Sequence, residues 1–151
     1  MPQPAGPASP RQVFQQVLRA IENIEMDAYA DLFAADGTFE SPFAPPRLPR
    51  RIEGREAIRA FFRAAADRLT AAAPQFTFSS VVVHETVDPE VIVTEYEVHG
   101  VAAGAPYQFA NLGVITVRNG EIVSLRDYWN PLDRPELAAL TNQVAAPPSQ
   151  T

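Results

Sequence analysis

The chain has no cysteine, no lysine, only two histidines and one tryptophan among 151 residues. Without cysteine there is no disulfide, no thiolate nucleophile and no thiolate metal site, and the cytoplasm is the expected compartment. All twelve cationic residues are arginine; with the many alanines, we read this as codon bias toward G and C rather than as function. A net charge of −6 argues against a nucleic-acid partner. No apolar run approaches the roughly 20 residues of a membrane span, so no membrane partner is expected. The Pro-rich start "MPQPAGPASP" lacks the apolar stretch of a secretory signal. His84 and His99 have no neighbours at metal-ligand spacing, so no metal is expected either.

What is present reads as one domain, residues 9–142, between a disordered tail (1–8) and a flexible tail (143–151). Ser9, Pro10 and Gln12 form a helix start with a capping box. Val13, Phe14, Val17, Leu18, Ile21 and Ile24 then recur at helical spacing. A short helix is expected from Asp27 to Phe33, packing Tyr29, Leu32 and Phe33. Asp36-Gly37 signals a turn, followed by a short strand from Thr38 to Ser41. The stretch "APPRLPRR" reads as a loop; its Arg47, Arg50 and Arg51 are most simply solvated. A long helix follows, with Ile58, Phe61, Phe62, Ala65 and Leu69 on one face. Strands are expected over 76–86, 91–99, 107–118 and 121–129, with turns at Asp88-Pro89 and Asn119-Gly120. A last helical turn covers Pro135 to Thr141. Helices first and strands later is the α+β pattern.

The period of two assigns strand faces. In 121–129, Val123, Leu125, Asp127 and Trp129 share the apolar face, which sets an acid on an otherwise apolar surface. Arg126 falls on the opposite face. In 107–118, Phe109, Asn111, Gly113, Ile115 and Val117 point inward, and in 91–99 Ile92, Thr94, Tyr96 and Val98 do so, with His99 outward. A sheet curved around helices leaves an apolar cavity whose few polar groups are Asp127, Asn111 and Tyr96, the pattern of a small-molecule site. Burial among apolar groups is expected to raise the Asp127 pKa, and a hydrogen bond from Asn111 to reduce that rise. The outer face of 107–118 shows Ala110, Leu112, Val114 and Thr116, a surface that a second copy would cover in a two-fold dimer.

The ordered segments "YADLFAADGTFESPF", "IEGREAIRAFF" and "NGEIVSLRDYWNPLD" resemble the SnoaL-like branch of the nuclear transport factor 2-like superfamily over about residues 11–140. The ending "RDYWNPL" is similar to that of phenazine-biosynthesis A/B proteins, which carry an acid at the position of Asp127. SnoaL-type polyketide cyclases use an aspartate on this last strand as acid/base. The resemblance implies a cone-shaped, curved, mostly antiparallel sheet wrapped around three helices, usually a homodimer, with no cofactor. Ketosteroid isomerase shares the fold, but its three catalytic positions fall on Ser41, Val17 and Gly113, none of which can take the same role. Limonene-epoxide-hydrolase-like chemistry needs two acids and an arginine inside the cavity, and only Asp127 is clearly inward.

Asp127 is therefore the candidate acid/base and Asn111 its partner. Tyr96, Trp129, Leu125 and Phe109 from the strands, with Val17 and Phe62 from the helices, are the candidate substrate contacts. The expected activity is cyclisation, condensation or isomerisation of a carbonyl-bearing aromatic or polyketide-like small molecule in secondary metabolism. The alternative is a non-catalytic binding or assembly protein on the same fold.

Overall fold

The computed structural model describes residues 1–72, 76–102 and 104–133. Three helices come first or between short strands: α1 Pro10–Glu22, α2 Met26–Asp31 and α3 Arg55–Ala72. Six strands, β1 Phe33–Glu40, β2 Arg51–Glu53, β3 Phe76–Glu85, β4 Val91–Ala102, β5 Ala105–Arg118 and β6 Glu121–Trp129, form one sheet in the order β2-β1-β6-β5-β4-β3. Only β1 and β6 run parallel; every other neighbouring pair is antiparallel. This curved α+β sheet is the expected architecture. The expected last helix, Pro135 to Thr141, and the Leu69 side chain lie outside the described residues.

Local chemistry accounts for the elements. Ser9 caps α1 as its spacing predicts: Gln12 N–H donates to Ser9 Oγ at 3.3 Å, and Ser9 N–H donates to Gln12 Oε1 at 2.9 Å. Val13, Phe14, Val17 and Ala20 are the buried stripe of this helix, the i, i+3/i+4 pattern of a one-sided helix. The Asn119-Gly120 hairpin has φ of 52° and 79° at its two turn residues, the left-handed pair that a type I′ turn requires. On α3, Ile58 and Phe62 lock into the core, Phe62 stacking on Tyr29 at 4.2 Å and meeting Phe39 edge-on at 5.2 Å. Truncating such a ring to alanine costs about 3–5 kcal/mol.

Three expectations need correction. The α2 helix ends at Asp31, and Phe33 already begins β1. The Asp36-Gly37 signal is realised as an irregularity inside β1 rather than as a turn, with pairing to β6 shifting between Phe33 and Thr38. Gly37 is required there: a Cβ would lie 2.8 Å from the Ile122 carbonyl. Third, Val123 is not inward. Thr116 pairs with Ser124 but Val117 pairs with Ile122, so Val123 is the extra residue of a bulge and the parity reverses before it. Ile122, expected outside, is 0 % exposed in the core. From Ser124 onward the expected faces hold. The loop also hides a short strand: Arg51 sits in β2, paired to Glu40 at 2.6 Å and Glu53 at 2.9 Å, while Arg50 donates to the Ala44 carbonyl at 3.3 Å.

Candidate active site

Register builds the site row by row. Ile92, Ile115 and Leu125 lie side by side across β4, β5 and β6. The next row is Thr94, Gly113 and Asp127, and the one above it Tyr96, Asn111 and Trp129. Val98 and Phe109 form the row after that. Because side chains two apart on one strand share a face, Asp127 and Asn111 are diagonal neighbours, and such pairs lie within about 8 Å. Glu40 pairs with Arg126 in the parallel β1–β6 ladder, so Ser41, one residue on, flanks Asp127 from the other side.

The helices roof these rows and leave a cavity of about 240 Å³. All eight sequence-predicted site residues line it: Asp127, Asn111, Tyr96, Trp129, Leu125, Phe109, Val17 and Phe62. Asp127 is the only carboxylate among the described lining residues, and these include no arginine or histidine. Arg126 is exposed on the far face, as expected. His84 is exposed and bound to Glu95 at 2.7 Å, and His99 shares a 2.8 Å hydrogen bond with Ser79 on the outer face. No group of three or more His, Asp or Glu among the described residues could hold a metal ion.

Two features were not read from the sequence. The first is Tyr29 of α2, expected only to pack. It lines the cavity, is 7 % exposed, and its phenol is held well above the usual tyrosine pKa by burial, with the charges of Asp127 and Tyr96 adding to the effect. A hydroxyl kept neutral in this way retains its hydrogen and can donate a hydrogen bond into the cavity. Helical spacing could place Tyr29 inward but not against a cavity. Second, Asn111, 7 % exposed, has no hydrogen-bond partner for Oδ1 among the described residues. The expectation gave its amide a donor's role; the atom left open is the acceptor.

A curved, mostly antiparallel sheet wrapped around three helices is the nuclear transport factor 2-like fold. The chain belongs to the SnoaL-like domain family, which matches residues 14–125. It is 36% identical over 124 residues to an uncharacterised PhzA/B-like protein of Pseudomonas aeruginosa, covering 81% of this chain and 84% of the relative. Among solved structures, a proposed isomerase of Bacillus subtilis superposes with a TM-score of 0.75 at 27% identity, covering 85% of this chain and 91% of the other. A proposed polyketide cyclase of Xanthomonas campestris pv. campestris shares the fold, with a TM-score of 0.62 at 22% identity and coverage of 88% and 92%.

Proposed function

We propose that the protein is a cofactor-independent acid/base enzyme of secondary metabolism. It would cyclise, condense or isomerise a carbonyl-bearing aromatic or polyketide-like small molecule. The carrying observation is the placement of Asp127 as the one described carboxylate on a mostly apolar cavity wall. In this reading the Asp127 carboxylate takes a proton from the carbon next to the substrate carbonyl. The electron pair left behind delocalises onto the carbonyl oxygen as an enolate, and the Tyr29 and Tyr96 hydroxyls donate to it. The enolate carbon then attacks a second carbonyl, or is reprotonated further along the conjugated chain. Asp127 returns the proton, so no net acid or base is consumed. The aromatic walls hold a flexible substrate folded for the step.

Asp127→Asn tests this reading. It keeps the shape and removes the base, so turnover of a carbonyl substrate should vanish while ligand binding and the melting temperature persist. Full turnover in the variant would end the proposal. The structural neighbours, a proposed isomerase and a proposed polyketide cyclase among them, support the reaction class. That Asp127 is the single carboxylate among the described lining residues also favours a second reading, a ligand-holding protein without catalysis, which predicts unchanged behaviour in that variant. In either case we propose a homodimer through the outer face of β5, where Leu112 and Val114 stand half-buried in the single chain.

A further inference from the structure

Resting on the reading of the cavity as a ligand site, Asn111 says what the ligand must carry. β5 sets Asn111 between Tyr96 and Trp129 in the row next to that of Asp127. Its Oδ1 is buried and has no donor among the described residues. A buried acceptor left unpaired is costly, and in a native site it calls for a partner. A ketone, quinone or ether oxygen cannot supply one, because none of them donates. An O–H or N–H can.

The rest of the wall narrows the choice. No arginine or histidine is among the described lining residues, so a carboxylate or phosphate would be buried without a counter-charge. An ammonium would find a counter-charge in Asp127, but it brings three donors, each of which needs an acceptor once buried. A phenolic hydroxyl brings one donor for Oδ1 and can accept from a tyrosine hydroxyl in return. The flanking rings of Phe14, Phe78 and Phe62 suit a flat ligand. A cavity of about 150 Å³ takes one benzene ring, so 240 Å³ fits one or two rings.

We infer that the ligand is a mono- or bicyclic aromatic whose hydroxyl donates to Asn111 Oδ1, and that Asn111 is the specificity-determining residue for that group. A site built around a hydroxyl discriminates against the analogue that lacks it because its own polar atom is then stranded.

Calorimetric titration of the full chain with three probes of one shape tests this: 2-naphthol, 2-methoxynaphthalene and naphthalen-2-ylmethylammonium. The naphthol should bind at least about tenfold more tightly than the ether, the factor expected for one unpaired buried acceptor. In Asn111→Leu, or in Asn111→Ala should the leucine variant not fold, that preference should shrink to about twofold or less. Equal affinity for the ether, tighter binding of the ammonium, no binding of any probe, or a preference that survives both variants would each overturn the inference. None of these titrations involves turnover. Their failure leaves the Asp127 reading standing, and the failure of Asp127→Asn to remove activity leaves the naphthol preference standing.

Discussion

Gly113 faces Asp127 across the β5–β6 ladder and Thr94 across the β4–β5 ladder, so the middle of that row has no side chain. A Cβ at Gly113 would come 2.7 Å from Thr94 Oγ1. Gly113→Ala should therefore force Thr94 to move, destabilise the fold by about 1–3 kcal/mol and weaken ligand binding beside Asp127. Removing the obstructing oxygen in Gly113→Ala/Thr94→Ala should recover part of the loss. Denaturant unfolding of the two single variants and the double variant measures the coupling; strict additivity would mean that the contact does not matter.

Tyr29 should resist ionisation. Its burial, with the Asp127 charge adding, keeps the phenol protonated well above the usual value. For a group whose folded pKa is raised, stability is complete below the unfolded pKa and is lost as pH rises through the folded one. An absorbance titration of the four tyrosines should show at least one component resisting ionisation above about pH 10 until the protein unfolds. Tyr29→Phe should remove that component and flatten the alkaline loss of stability. Four tyrosines titrating together in the folded protein would contradict this.

Acid should loosen α2 before it loosens the sheet. Arg63 grips both Asp27 oxygens, at 2.7 and 2.9 Å, and Arg59 binds Asp31 at 2.6 Å and Glu56 at 3.0 Å. The Arg63 hydrogen bond lowers the Asp27 pKa, and the Arg59 hydrogen bond lowers that of Glu56. With folded values depressed, the contribution is present above the unfolded carboxylate pKa and fades as pH falls through the folded one, from about pH 4 downward. These groups are exposed, so the effect is local and small. Hydrogen exchange at Met26–Asp31 should accelerate in acid ahead of β5, and Arg63→Ala should produce the same acceleration at neutral pH. Uniform exchange of helix and sheet would rule it out.

The proposed dimer is accessible to sedimentation. The intact protein should sediment at twice 16.5 kDa. A charge at Leu112 and another at Val114, in Leu112→Glu/Val114→Glu, should yield a folded monomer, because buried unpaired carboxylates are not tolerated in an apolar interface. A monomeric intact protein at micromolar concentration would remove the dimer from the description.

The sequence made much of this legible. Alternation from Ser124 to Trp129 placed Asp127 and Trp129 inside, and the period of two did the same for Tyr96 and Asn111. It failed at Val123, because a one-residue bulge reverses every face on one side of it and leaves no compositional mark. At Gly37 the same signal serves a turn and a bulge, and only the neighbouring Ile122 carbonyl distinguishes them. Tyr29 escaped notice because apolar periodicity reports that a residue is inside, not whether its hydroxyl meets packing atoms or open space.

The parallel pairing of β1 with β6 has a consequence for how the protein is made. Phe39 meets Leu125, so the centre of the sheet joins residues far apart in sequence, a closure that is entropically slow. During synthesis β1 must wait, its hydrogen-bonding edge open, until the end of the domain leaves the ribosome. That final segment is also the one that carries Asp127. The cavity and its carboxylate thus arrive in a single late step. The open edge of β1 is then the point at which chaperones, or aggregation, would compete with folding.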